Sequence, residues 1–272
     1  FTGYNSDIRP VNDDKEIMPI VIDFSLISIS ELQEKDQTLV SFGLIHLYWE
    51  DDFLSWNESE YGDLQNMVVP QKKVWRPDIV VANSVEKRTK IGFDELPIRL
   101  NSEGYLEWEP SMLFKTSCDI DTTYYPFDVQ VCKISLETMM SKIYELDLII
   151  NDPEIDTVDY SPNGQWNLLS AKIVKRDKAV YSAVHIELKI QRRRTFYVLN
   201  LILPILLLSL MGSLTFALPS DAGEKMSLSI TVLLAYVVFL TIISDSMPQT
   251  SLQISLLGVY LTILVALSAL AV

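Results

Sequence analysis

The chain has 272 residues, 49% of them hydrophobic, and a formal charge of −14 from 22 basic and 36 acidic side chains. A field of that sign gathers cations and repels polyanions, so no nucleic-acid partner is expected. Two scattered histidines, His46 and His185, and no thiol nucleophile make no recognisable catalytic set, so an enzyme, a metal site and a cofactor are not expected either.

Charge is unevenly spread. Asp221, Glu224, Lys225 and Asp245 are the charged residues beyond position 194 and sum to −2, which leaves −12 for residues 1 to 194. The chain opens at Phe1 rather than Met, and a removed targeting segment is expected. Residues 1 to about 15 are polar and are expected to include a short helix. From Ile17 to Ile190, runs rich in Val, Ile, Phe, Tyr and Leu are bounded by Asp, Asn, Pro and Gly, the pattern of an all-β sandwich of immunoglobulin-like type. Alternation is clearest in His185-Ile186-Glu187-Leu188-Lys189-Ile190, while Asn101-Ser102-Glu103-Gly104, Pro153 and Pro162-Asn163-Gly164 read as turns.

The only thiols, Cys118 and Cys132, enclose a turn-rich segment containing Tyr125-Pro126-Phe127-Asp128. Buried free thiols are the alternative. A disulfide is favoured, since closing a loop of this length is worth roughly 3 kcal/mol, and it implies an oxidising compartment. Asn57-Glu58-Ser59 is an N-glycosylation acceptor that agrees with the same side of a membrane.

Three stretches, Phe196 to Leu218, Met226 to Ser244 and Leu252 to Val272, contain no ionisable residue. A helix rises about 1.5 Å per residue and hydrocarbon is roughly 30 Å thick, so each is long enough to span it. The expected organisation is an extracellular domain over 1–194 and a helical membrane domain over 195–272, with spans at about 196–218, 225–245 and 252–272. Pro204 is a candidate bend in the first span. Short connections at Pro219 to Glu224 and Asp245 to Ser251 imply an antiparallel bundle. Arg192-Arg193-Arg194 before the first span opposes an outside location by the positive-inside tendency, but that tendency weakens behind a long exported domain.

In the second span Ser227, Thr231, Leu234, Val238, Thr241 and Asp245 follow one another in steps of four, three, four, three and four, on one helical face. A small-residue helix contact is the plain reading of such a stripe. A water-filled pore is the other: hydroxyls replace part of an ion's hydration, and Leu234 and Val238 close the path by dewetting. Glu224 suits a helix N-terminus, but Asp245 opposes the macrodipole at the far end. The carboxylates favour the pore.

Taken together, the Cys118 to Cys132 segment with Pro126-Phe127-Asp128 inside it, Trp75-Arg76-Pro77-Asp78, Arg192 to Arg194, and Gly223-Glu224-Lys225-Met226-Ser227-Leu228-Ser229-Ile230-Thr231-Val232-Leu233-Leu234 resemble the Cys-loop receptors, the pentameric ligand-gated ion channels. The membrane part is most similar to nicotinic acetylcholine receptors. The resemblance implies five identical or related subunits around a pore in the plasma membrane, multi-pass, with the N-terminal domain outside and agonist bound between subunits. It implies a Leu234 gate and a Glu224 cation filter, because anion-selective relatives carry an inserted proline and an alanine where this chain has Gly223-Glu224-Lys225. It also implies a coupling set of Glu34 with Arg193, Pro126, Phe127, Asp128 and Pro248.

For the agonist site the resemblance implies Trp49, with Met139 in place of a central tryptophan, Ala82 in place of a tyrosine, and Tyr181 on a short capping loop. Glu107, Trp108 and Glu109 stand on the opposite face. The adjacent cysteine pair of acetylcholine-binding subunits is missing, so a small-molecule agonist other than acetylcholine is expected, with cations as the permeant species and lipid as surroundings. The rivals are an accessory subunit that needs partners and a membrane-anchored β-sandwich recognition receptor without a pore.

Overall fold

The computed structural model describes residues 3–93, 95–217, 224–245, 247–248 and 253–271. Residues 3–17 run as turns and bends with no helical turn, so the expected N-terminal helix is not formed there. Polar residues of this stretch are spent on the body of the domain instead: the Tyr4 hydroxyl donates to Asp51 (2.6 Å), and Arg9 binds the carbonyl oxygens of Glu16 and Glu145.

Twelve strands follow among the described residues: β1 (Met18–Gln33), β2 (Thr38–Glu50), β3 (Asn66–Pro70), β4 (Ile79–Val81), β5 (Thr89–Lys90), β6 (Pro97–Asn101), β7 (Tyr105–Trp108), β8 (Ser111–Ser117), β9 (Val129–Thr138), β10 (Leu146–Ile150), β11 (Trp166–Lys175) and β12 (Ala183–Arg192). They form a sandwich. One sheet runs β10-β1-β2-β7-β6-β3 with β8 also paired to β2, and the other runs β11-β12-β9-β4-β5. The β1–β10 pair is parallel; the other ladders are antiparallel.

Alternation builds the core. Ile20, Ile22, Phe24 and Leu26 of β1 face in with Ile45, Leu47 and Trp49 of β2, and they meet Ile134, Leu136, Ile186, Leu188 and Ile190 of the second sheet. Register shifts at Leu26/Ser28 and Ile29/Glu31 bring Ile29 and Leu32 inward as β1 continues. Gly43 is required by close approach, since a Cβ there would lie 2.5 Å from the Phe24 ring and 2.8 Å from the Ser25 carbonyl oxygen. Cys118 follows β8 and Cys132 lies in β9. Their disulfide therefore ties one sheet to the other.

The membrane half opens with α1 (Thr195–Tyr197), which passes through a π turn at Val198–Ile202 into α2 (Leu203–Ala217). Pro204 has no N–H to offer the preceding turn, and the widened turn lies immediately before it. α3 covers Glu224–Asp245. α1 through α2 and α3 are long and apolar enough to cross a membrane. Among the described residues of the third run, Gln253 to Ser255 are not helical and α4 covers Leu256–Ala271, starting where the Leu256 N–H is taken by the Thr123 carbonyl (3.1 Å). Val232, Tyr236 and Ile243 of α3 pack with Ile205 of α2 and Leu261 of α4. The expected turn at Pro219 to Glu224 falls almost wholly outside the described residues, as does much of the linker after Asp245.

Candidate functional site

The junction of sandwich and helices is organised by one buried cation. Strict alternation in β12 carries Ile186, Leu188 and Ile190 inward, and the next residue in that series is Arg192. Its side chain is 1% exposed. Nε and Nη2 donate to the two Asp128 carboxylate oxygens (2.7 and 3.0 Å), and Nη1 donates to Glu34 (2.6 Å) and to the Tyr197 hydroxyl (3.1 Å). The guanidinium lies 4.3 Å from the Trp166 ring centre, 4.9 Å from Tyr125 and 5.1 Å from Tyr197, so aromatic faces cover what the carboxylates leave open. Burial alone would lower the guanidinium's pKa; hydrogen bonds and charge from Asp128, then Glu34, hold it above its ordinary value. Burial likewise pushes the Tyr125 hydroxyl up.

This arrangement corrects the expected Glu34–Arg193 pair. Arg193 is the first residue after β12 and is exposed, where its Nε donates to the Asn163 carbonyl (3.1 Å). Glu34 comes from the β1–β2 turn, Asp128 and Tyr125 from the disulfide-closed loop, Trp166 from β11 and Tyr197 from the first membrane helix. Four segments thus meet at one side chain of β12. Pro126 is buried beside Tyr125, and Phe127 is exposed at the loop tip with the Arg194 guanidinium 5.7 Å from its ring. The same loop touches the bundle a second time just before α4, where Thr122 N–H donates to Gln253 (3.2 Å). Thr122, Met247, Pro248 and Gln253 line a cavity of about 680 Å³ at that contact.

On α3 the stripe read from the sequence lies on the outer side of the chain. Glu224, Ser227, Thr231, Leu234, Val238, Thr241 and Asp245 are all exposed, Leu234 by 63%. Ser229, Val232, Tyr236 and Ile243, which face the neighbouring helices, occupy the roughly opposite side at 3.6 residues per turn. Thr231 and Thr241 donate their hydroxyls to the carbonyls of Ser227 and Val238 (2.8 and 2.7 Å), so their oxygens remain as acceptors on the exposed face.

The expected agonist residues are not brought to one surface. Trp49 and Trp108 are core side chains, 1% and 2% exposed, and this corrects their assignment: odd positions of β2 from Ile45 to Trp49 face inward. The outer positions are Leu44, His46 and Tyr48, which share that face with Tyr105, Glu107 and Glu109. Period-two alternation, applied to Leu44 through Trp49, was the signal for them. Tyr48 stacks on Tyr105 (6.0 Å), Arg99 pairs with Glu107 (3.3 Å), and His46 bridges Ser25 (2.7 Å) and Glu109 (3.0 Å).

On the other edge, Met139 is exposed in a turn held by Asp78, whose carboxylate accepts the N–H groups of Met140 (2.6 Å) and Ser141 (3.0 Å). Tyr181 is half-buried in the β11–β12 connection. Asn57 is exposed before a short 3-10 turn, its side chain accepting from Ser59.

Comparison with known proteins gives a consistent result. The family model for the neurotransmitter-gated ion-channel ligand binding domain matches residues 1–194, and that for the neurotransmitter-gated ion-channel transmembrane region matches 201–272. The neuronal acetylcholine receptor subunit alpha-3 of Homo sapiens is 36% identical over 267 residues, covering 96% of this chain and 53% of the relative. The acetylcholine receptor subunit epsilon of Xenopus laevis is 33% identical over 291 residues (100% and 57%), and the human neuronal acetylcholine receptor subunit beta-4 is 34% identical over 264 residues (96% and 53%). The chain spans about half the length of these curated relatives.

Proposed function

Because this chain belongs to the neurotransmitter-gated ion-channel family, we propose that it is a subunit of a pentameric, ligand-gated, cation-selective channel of the plasma membrane, with the sandwich outside the cell. The observation that carries this reading is the α3 stripe: every member of a polar-then-apolar-then-acidic series lies on the side that neighbouring helices leave open. Five such faces around an axis would give a Glu224 ring, a hydroxylated path and a Leu234 constriction that closes by dewetting. The Arg192 cluster supports a coupling role for Glu34, Asp128 and the disulfide loop, since a shift of the sandwich must either move or break contacts shared with Tyr197 at the start of the first membrane helix.

The agonist in this reading is not acetylcholine. No ring replaces the two aromatic positions taken by Ala82 and Met139, and Trp49 is turned into the core. The same observation favours a second reading, an accessory subunit whose agonist faces are completed by other chains. Recording from cells expressing this subunit alone, and then with related subunits, separates the two. Selectivity is tested by Glu224→Ala: removing the carboxylate ring is expected to move the reversal potential in asymmetric salt toward that of chloride. An unmoved reversal potential removes Glu224 from the filter.

A further inference from the structure

His46 has a partner on each ring nitrogen, and the contacts continue into a chain of four side chains. Nδ1 meets a Glu109 carboxylate oxygen (3.0 Å), Nε2 meets the Ser25 hydroxyl (2.7 Å), and that hydroxyl faces Asp156 Oδ2 at 3.4 Å. Strand order assembles it. Ser25 lies on β1 and His46 on the adjoining β2, Glu109 follows β7, and Asp156 belongs to the 151–163 segment between β10 and β11. That segment is laid along β1 by a parallel bridge at Ser25, by the Asp156 N–H on the Phe24 carbonyl (3.1 Å) and by the Ser161 N–H on the Ile27 carbonyl (2.8 Å). It ends at Asn163, whose carbonyl accepts Arg193 ahead of the first membrane helix.

Counting protons shows what the chain can do. It has three links, and a neutral imidazole with its one N–H, together with the Ser25 hydroxyl, supplies two hydrogens. One link is always unmade. With Nδ1 donating to the Glu109 carboxylate, Nε2 can only accept, so Ser25 spends its hydroxyl proton on His46 and none lies between Ser25 and Asp156. The spacings agree, 2.7 Å on one side of the hydroxyl and 3.4 Å on the other. An imidazolium carries both N–H groups. Nε2 then donates to Ser25, the hydroxyl proton turns to Asp156, and all three links are made.

The surroundings are acidic. Among the described residues, the charged and titratable groups on this face are Asp23 of β1, Tyr48 of β2, Glu107 of β7, Glu109, and Asp152, Glu154 and Asp156 of the segment, most of them around a cleft of about 560 Å³; Arg99 of β6 is tied to Glu107 (3.3 Å). Burial, and then the charges of Glu107, Glu109 and Asp23, push the Tyr48 hydroxyl up. The Asp23 carboxylate is taken by the Asn151 side chain and the Asp152 N–H (both 3.1 Å), and Asp156 Oδ1 by the Val158 N–H (2.9 Å). Asp156 Oδ2 is the oxygen turned toward Ser25.

We propose that His46 is a proton-binding site that fastens the 151–158 stretch to β1, acid supplying the hydrogen that completes the chain from Glu109 to Asp156. Histidine is the side chain whose charge changes between about pH 5 and 8. The proposal does not rest on the channel reading, since every link lies within one chain.

The test uses the detergent-solubilised full chain carrying His185→Gln, which leaves His46 as its sole imidazole. Amide exchange over 155–158, corrected for the intrinsic pH dependence of the chemistry, is compared at about pH 7.5 and 5.5, on either side of an ordinary histidine titration, and the ring is followed by NMR of isotope-labelled histidine. Protection should rise roughly fivefold at the lower pH, the factor that one added hydrogen bond of ordinary strength supplies. Ser25→Thr keeps the hydroxyl and should keep the rise. Ser25→Ala and His46→Gln should lose it, with the ring of Ser25→Ala still titrating as evidence that the proton binds where the link is cut. Melting temperatures at the higher pH confirm that each variant is folded, and His46→Gln carries the comparison should Ser25→Ala fail to fold. Equal protection at the two pH values in the parent chain, a rise that survives in His46→Gln or Ser25→Ala, its loss in Ser25→Thr, or a ring that does not titrate between them overturns the proposal.

Discussion

Replacing Arg192 with Gln tests the junction most directly. The guanidinium and its Asp128 partner are 1% and 3% exposed, joined by two hydrogen bonds of 2.7 and 3.0 Å, so the substitution leaves a carboxylate buried without its cation. Breaking a buried pair from one side costs roughly 3–5 kcal/mol. For a domain of this size each kcal/mol moves the melting temperature by about 2–4 °C, which gives a fall of roughly 10 °C. Glu34→Gln should cost less, about 1.5 kcal/mol, because Glu34 is 24% exposed and shares one hydrogen bond with the arginine. Arg193→Gln removes an exposed side chain with one bond to a carbonyl and should stay within about 0.5 kcal/mol.

The assay is thermal unfolding of the solubilised receptor followed by tryptophan fluorescence, since Trp166 lies 4.3 Å from the guanidinium. A double-mutant cycle of Arg192→Gln with Asp128→Asn should show strong non-additivity, and one with Glu34→Gln a weaker one. Equal melting shifts for Arg192→Gln and Arg193→Gln, or additivity in the Asp128 cycle, would refute the reasoning.

Leu234→Thr should hydrate the constriction and give leak current or greater agonist sensitivity at normal surface expression; normal expression with neither effect counts against the pore assignment of the face. Acetylcholine and nicotine should fail as agonists, because each missing desolvated cation–aromatic contact removes about 2 kcal/mol and two together remove roughly three powers of ten in affinity; robust currents at micromolar acetylcholine in cells expressing this chain alone would show the aromatic reading to be wrong. Burial, and then the charge of Lys133, lower the His185 pKa in the folded chain. The unfolded chain therefore binds more protons below about pH 6.5, and stability falls as pH drops through that region. His185→Gln should flatten the loss of melting temperature between pH 7 and 5.5, and an unchanged slope would assign that loss to other groups.

Periodicity and length carried most of what was legible in the chain. Uninterrupted apolar runs can satisfy their backbone only as membrane helices, and steps of three and four put Glu224 through Asp245 on one side whatever the helix packs against. Alternation through His185 to Ile190 likewise implied an inward Arg192, because side-chain direction in a strand is a local property. Matching single residues to a family pattern without applying that rule put Arg193 in place of Arg192 and gave Trp49 and Trp108 a surface role. Tertiary structure alone decided which partners meet. Asp128 and Glu34 reach Arg192 across sequence separations of 64 and 158, and Lys178 reaches Glu137 across 41. Nothing in local propensity encodes such pairings; the β9–β12 pairing brings Asp128 to Arg192 and Lys178 to Glu137, the stacking of the two sheets brings Glu34, and burial then turns ordinary charges into fixed contacts.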